Sequence, residues 1–271
     1  MRPARGGSAI TVDVFERHLD EWARWQRSPW GSLRYRLVAQ LLARHRPAAT
    51  PLTVLDLGGG DGADSVPLAA AGDDVVVADQ SPALLQRAQS RATEAGTTIR
   101  TARLALDRPD GRDEVYEQLP QGADLVVSHN VVQYLPDVET AVTDVVSHVR
   151  HGGLVSLMAT NPVNQVLTTS VRGPDPDAAL ALLDAPTFHT VTFEHDVRRI
   201  TWAEGERALR AAGCEVVARY GVLCVNHLIT DDERKHDSQF ATSLERLELM
   251  LADRDPYRDI AAMWMIVARR G

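Results

Sequence analysis

Apolar runs bounded by glycine, proline and aspartate recur along the first part of this chain. Residues 53–57, 75–79, 98–104, 124–128 and 154–160 read as five strands. The runs richest in valine and leucine lack polar alternation, as strands buried on both faces do. Helical stretches fall between them. One runs over about 64–71, one opens at Ser81-Pro82 and reaches about Ala95, and one follows Pro136 and stops before Gly152-Gly153. Strands alternating with helices at this spacing predict a parallel, doubly wound sheet.

The flanking segments break that rhythm. Val12–Arg27 reads as a helix with Phe15, Leu19, Trp22 and Trp25 on one face, Ser28–Gly31 interrupts it, and Leu33–His45 resumes with Leu37, Leu41 and Leu42 inward. Residues 161–199 show no βαβ period. A capping box, Thr201-x-x-Glu204, then opens a helix over Trp202–Ala212. Glu215–Val222 reads as a sixth strand, and after an excursion over 231–256, Ala262–Ala268 reads as a last, antiparallel one. The expected fold is α/β, a doubly wound seven-stranded Rossmann-like sheet with an antiparallel last strand, an N-terminal helical lid and an insertion-built cap. The expected domains are a lid over 1–50, a core over 51–160, a cap insertion over 161–200, and the rest of the core over 201–271 with a second insertion at 231–256.

The strongest chemical signal lies at the end of the first strand. Val54-Leu-Asp-Leu-Gly-Gly-Gly-Asp-Gly62 leads from a buried strand into a glycine turn, and Val75–Asp79 ends on a carboxylate. Glycines let the backbone approach a ligand without a Cβ in the way. An acid about twenty residues after such a turn is placed to accept from ribose hydroxyls. Gly58, Gly60 and Ala63 also fit a G-x-G-x-x-A dinucleotide pattern. Against that reading stand Asp56 in the strand end and Asp61 in the turn, which repel a pyrophosphate and suit a cationic ligand. Residues 1–52 also precede the first strand, where dinucleotide folds open directly on it. S-adenosylmethionine, carrying an ammonium and a sulfonium, is the expected cofactor.

Composition narrows the setting. The 271 residues are 44% hydrophobic and carry a formal net charge of −8, which opposes non-specific nucleic-acid binding. No apolar run approaches the ~18 residues needed to cross a bilayer, and no apolar stretch follows the basic N-terminus as in a signal peptide. Cys214 and Cys224 lack C-x-x-C spacing and read as reduced packing residues. A cytoplasmic protein without membrane partners is expected.

Several stretches together resemble the tRNA 5-carboxymethoxyuridine methyltransferases, a family of class I S-adenosylmethionine-dependent enzymes that methylate the carboxylate of a modified wobble uridine. They are Gly31-Ser-Leu-Arg34, Val54–Gly62, Ser128-His-Asn-Val-Val-Gln-Tyr134, Gly153–Met158, Asp255-Pro-Tyr257 and Val267-Ala-Arg269. The resemblance implies that Arg34 reaches the methionine carboxylate of the cofactor, with Gly58 and Gly59 under its methionine and ribose; Asp56 and Gly60, from the turn itself, are further candidate cofactor residues. It implies Asp79 on the ribose hydroxyls, Gln80 beside the adenine, Ala105 at the adenine edge, and His129 near the sulfonium and the acceptor. The chain also departs from that family. The lysine-rich run after the fifth strand is replaced by Ala185–His195, which holds no lysine, and Leu223 stands where the family has an arginine. A phosphate backbone and a uridine carboxylate both call for fixed cations. Arg172, Arg198, Arg199 and Lys235 are the candidates to replace them.

Methyl transfer from a sulfonium needs proximity and orientation, plus a base only for an acceptor that must lose a proton. His129, at the carboxyl end of the fourth strand, is the candidate catalytic residue; its other reading is a hydrogen-bonded core histidine. Tyr134, Asn161 and Arg199 are the candidate acceptor-pocket residues, and Asn130 is as much a turn residue as a site residue. Trp22, Trp25 and Trp30 form either a wall over the cofactor or ordinary helix packing. His189 and His195 lack the organised ligands of a metal site. The acids Asp231, Asp232 and Glu233 near His227 and His236 read as helix-start residues rather than metal ligands, so no metal is expected. The expected activity is methyl transfer to an oxygen of a small organic acceptor. The alternatives are the tRNA carboxylate and, below it, a cofactor-binding protein that does not methylate.

Overall fold

The computed structural model describes residues 16–46, 51–106, 112–190 and 194–271. Two helices, α1 (Leu19–Arg27) and α2 (Pro29–Ala43), lead into the strands β1 (Thr53–Leu57), β2 (Asp74–Asp79), β3 (Arg100–Arg103), β4 (Ala123–His129) and β5 (Val149–Thr160). Between them lie α3 (Val66–Ala70), α4 (Pro82–Glu94), α5 (Arg112–Gln118) and α6 (Val138–Ser147). The cap comprises α7 (Pro162–Arg172), α8 (Pro176–Leu182) and a hairpin of β6 (Thr187–Thr190) and β7 (His195–Arg198). Then come α9 (Trp202–Ala211), β8 (Cys214–Val222), α10 (Ser238–Leu251) and β9 (Met263–Arg270). Seven strands make one sheet in the order β3-β2-β1-β4-β5-β9-β8. The pairs from β3 to β5 are parallel, and β9 runs antiparallel to both β5 and β8, as expected of the last strand.

Valine-rich strands without alternation are buried on both faces, because helices cover both. In β2, Val76 and Ala78 enter one core layer and Val75 and Val77 the other. α6 and α9 supply Val142, Val145 and Leu209 to the first layer; α2 and α10 supply Leu37, Leu41 and Leu244 to the second. Burying each such leucine contributes about 1.5–3 kcal/mol. α2 thus packs into the core while its Arg34 and Tyr35 line a cavity together with Leu19, Trp22 and Trp25 of α1. Among the described residues no helix is long and apolar enough to cross a membrane. Both cysteines are free and buried.

The prolines and aspartates read as loop signals turn out to be helix starts. Ser28 Oγ accepts from the Gly31 amide at 3.1 Å and Pro29 follows, so α2 begins where the sequence reads an interruption. Asn161-Pro162 and Asp175-Pro176 open α7 and α8 in the same way. Asp237 caps α10 by accepting from the Phe240 amide at 2.7 Å, inside a segment read as an excursion. Of the N-terminal helix expected from Val12, Val12 and Phe15 lie outside the described residues.

One close approach gives a direct test of packing. A Cβ on Gly205 in α9 would stand 2.7 Å from the ring of Trp264. That ring is 1% exposed and tied by its indole N–H to the Ile200 carbonyl at 2.7 Å. Gly205→Ala gains about 1 kcal/mol of helix propensity, but overpacking a fixed ring costs about 1–3 kcal/mol. Net destabilisation by about 1–2 kcal/mol is expected in denaturant unfolding; an unchanged or raised midpoint would contradict it.

Candidate functional site

The turn after β1 is folded by glycine chemistry. Gly58, Gly60 and Gly62 take φ of 68°, 55° and 71°, a region that L side chains rarely adopt. The Gly58 and Gly59 amides both donate to the Ala78 carbonyl, at 2.8 and 3.2 Å, which fastens the turn to β2. A Cβ on Gly59 would stand 2.5 Å from the Asp56 carboxyl carbon, and one on Gly58 2.6 Å from Val131. Asp79, ending β2, accepts from the Gly60 amide at 3.0 Å and the Ser81 amide at 2.9 Å.

These elements border a cavity of about 300 Å³ at the carboxyl ends of β1, β2, β4 and β5. The turn glycines, Asp56 and Arg34 line it, as do Asp79, Gln80 and Ala105, and further round His129 and Tyr134. Trp22 and Trp25, stacked with ring centroids 5.0 Å apart, bring α1 over its mouth. Every cofactor position named from the sequence is thus brought to one place. The cavity also takes in Tyr35, Asp64, Gln133 and Thr160, which sequence reasoning did not single out. Gln133 and Tyr134 stand side by side in the stretch that carried the family resemblance, yet only Tyr134 drew attention. Gln133 is 3% exposed, and its Oε1 accepts from the Thr160 amide at 3.0 Å and hydroxyl at 3.3 Å.

Two buried carboxyls, Asp56 and Asp79, and the nearly buried Asp64 share this end of the sheet, each in a different electrostatic state. Asp56 is 2% exposed and its Oδ2 has no hydrogen-bond partner. Burial first, and then the charge of Asp64, push its pKa up to about 8. Burial also lifts Asp79, to about 6, against the pull of the Ser81, Gly60 and Gln80 amides. Asp64 goes the other way. Burial opposes its ionisation, but Arg34 at 2.5 Å and His129 at 3.1 Å outweigh it and hold the carboxyl well below the usual range. The fourth acid lining the cavity, Asp61, is already paired. It accepts from Gln26 at 2.9 Å and Arg91 at 2.5 Å, a contact that binds α1 and α4 to the turn.

Several sequence expectations need correction. His129 is not arranged as a base: Nδ1 meets Asp64 Oδ2 at 3.1 Å and Nε2 meets Ser156 Oγ at 2.7 Å. A carboxylate only accepts, so Nδ1 carries the hydrogen and Nε2 accepts from the serine. Burial lowers the His129 pKa despite Asp64, which keeps the ring neutral. Asn161 is not in the acceptor pocket. Its amide donates to the Asp259 and Ala261 carbonyls at 2.9 and 2.8 Å, and its oxygen caps α7. Arg199 is also elsewhere, donating to Gln165 at 2.9 Å and to the carbonyls of Leu182, Ala185 and Pro162. Trp30 does not line the cavity and faces Lys235 instead. Asn130 does line it, with φ of 59°.

The cradle suits a cationic nucleoside ligand: a side-chain-free turn, an unpartnered buried carboxyl beneath it, and an acid at the neighbouring strand end. Comparison with known proteins agrees. A family model described as a methyltransferase domain matches residues 55–155. The chain is 25% identical over 242 residues to the tRNA 5-carboxymethoxyuridine methyltransferase of Escherichia coli K12, covering 89% of each. It is 32% identical over 181 residues to the ubiquinone biosynthesis O-methyltransferase of Agrobacterium fabrum, covering 66% of this chain and 65% of that protein. Its fold is shared by the magnesium protoporphyrin IX methyltransferase of Synechocystis PCC 6803 with bound S-adenosylhomocysteine, at a TM-score of 0.60 and 16% identity over 96% and 98% of the two chains. By its glycine turn, its sheet order and these relatives, the chain belongs to the class I S-adenosylmethionine-dependent methyltransferases.

Proposed function

We propose that this methyltransferase acts on a hydroxyl oxygen of a small, uncharged organic acceptor. In this reading Asp79 takes the ribose hydroxyls, while Gln80 and the backbone of Ala105 flank the adenine. Gly58, Gly59 and Gly60 run beneath the methionine and ribose, Asp56 faces the ammonium, and Arg34 takes the carboxylate. His129 forms a neutral wall and Tyr134 lines the acceptor side. When bound, S-adenosylmethionine supplies a methyl group already activated as a sulfonium. The chain orients the acceptor so that the methyl passes from sulfur to the hydroxyl oxygen as the C–S bond breaks. The hydroxyl proton passes to solvent, because both ring nitrogens of His129 are engaged, and Trp22 and Trp25 in the lining limit the water that reaches the sulfonium.

One observation carries the choice of acceptor. Among the described residues lining the cavity, Arg34 is the only permanent cation, and Asp64 already holds it. Four acids line the same space, Asp56, Asp61, Asp64 and Asp79. A carboxylate acceptor would enter this field without a clamp, at a cost that low dielectric magnifies. The cations expected to replace the tRNA family's lysines are engaged elsewhere. Arg172 pairs with Asp232, Arg198 donates to the Pro136 carbonyl, and Lys235 pairs with Asp232 at 2.7 Å. The O-methyltransferase relative supports oxygen as the target. The tRNA carboxylate stays as the second reading because the tRNA-modifying relative aligns over 89% of the chain.

Methyl incorporation from labelled cofactor separates the two. The acceptors are a catechol, the matching benzoic acid, and tRNA from cells lacking the protein, digested to nucleosides. Label on the catechol, at least about tenfold above the acid, is expected; label confined to a wobble uridine would reverse the assignment. A second test concerns Asp56. With a pKa near 8 in the free protein, its carboxyl is mostly protonated at pH 7, and a cation beside it favours the ionised form. S-adenosylmethionine binding at pH 7 should therefore release between about half and one proton. Calorimetry in buffers of different ionisation enthalpy measures this, and Asp56→Asn should abolish it. Buffer-independent heats with the native protein would remove Asp56 from the ammonium site.

A further inference from the structure

Asp64 divides its two oxygens between two buried partners. Oδ1 accepts from Arg34 Nη1 at 2.5 Å, and Oδ2 accepts from His129 Nδ1 at 3.1 Å. Arg34 is 2% exposed, and its guanidinium carbon lies 4.4 Å from the centre of the Tyr35 ring. His129 is fixed from its far side by Ser156 in β5. One carboxylate thus links α2, the residues after the glycine turn, β4 and β5. A buried guanidinium held at one nitrogen by a carboxylate and over a ring on one face can turn in only a few ways, so its remaining N–H donors keep a narrow range of directions. Arg34 lines the cavity, and so does Asp64.

From this juxtaposition we infer that Asp64 is a positioning residue for the cofactor: it aims Arg34 at the amino-acid carboxylate and holds His129 as the wall beside it. The inference rests on the cofactor orientation proposed above. A simpler role, that of a counter-charge for a buried arginine, predicts the opposite sign. Removing a counter-charge would leave Arg34 with more attraction for a ligand carboxylate. Removing an aiming group leaves it with less.

The experiment compares S-adenosylhomocysteine with S-adenosyl-3-thiopropylamine, which keeps the amino group and lacks only the carboxylate. Native protein should prefer the first. Asp64→Asn should cut that preference by about tenfold, the loss of one charge-assisted bond, and leave affinity for the decarboxylated ligand within about threefold. In an Arg34→Met background the same change should leave the preference unaltered, because the group being aimed is gone. Asp64→Glu keeps the charge but moves it by one methylene, so it should also lower the preference; the counter-charge role predicts no change there. A preference that rises or holds in Asp64→Asn, or an equal loss of both ligands, would overturn the inference. Failure of the native protein to bind either ligand would instead count against the cofactor reading itself.

Discussion

Three carboxyls removed from water at one end of a single sheet set the terms for the rest of the site. Each ionised carboxylate costs several kcal/mol to bury unless something compensates it. Asp64 is compensated by the charge of Arg34 and by the ring N–H of His129. Asp79 is compensated by dipoles, the amides of Gly60 and Ser81. Asp56 has neither at its Oδ2, and its proton is retained to about pH 8. The glycine turn follows from the same constraint, since a side chain at residue 59 would collide with Asp56. A site built this way is pre-formed for a ligand that brings positive charge and hydroxyl donors.

The same charges account for the division between the two ends of the cavity. Much of the proposed cofactor end comes from one continuous segment, β1 through β2, with Arg34, Ala105 and His129 added from elsewhere in the chain. The rest of the cavity lining comes from α1, the turn after β4, the end of β5, the hairpin and the strand β9, segments far apart in the chain. Arginines from the cap have become structural ties: Arg199 stitches α7 to the end of α8, and Arg172 joins α7 to the segment after β8. A chain aligned with a tRNA-modifying enzyme over most of its length can therefore present an acceptor surface of different character.

Much of the fold was legible because its signals are local. A valine-rich run, a Ser-Pro helix start and the Thr201–Glu204 capping box each act within a few residues, and the structure bears each out. Pro29 misled because proline marks a break and a first helical position alike, and only the preceding cap, here Ser28, distinguishes them. Cavity-lining residues were legible where the backbone itself forms the lining, as at Gly58 to Gly60. They were not where a side chain chooses among partners. Asn161 and Arg199 stand at the right places in the chain, but carbonyls from neighbouring segments claim them. Asp64 looked like the start of a helix, and nothing local marks it as the partner of Arg34, thirty residues away in the chain. His129 was placed correctly, yet Ser156 decided its hydrogen bonding.

The most direct test of the account is a crystal structure of the complex with S-adenosylhomocysteine. The account predicts the ribose hydroxyls on Asp79, the amino group beside Asp56 and the carboxylate on Arg34, with the sulfur toward His129 and Tyr134. A nucleoside bound in the reverse direction, or outside the cavity beneath Trp22 and Trp25, would contradict it.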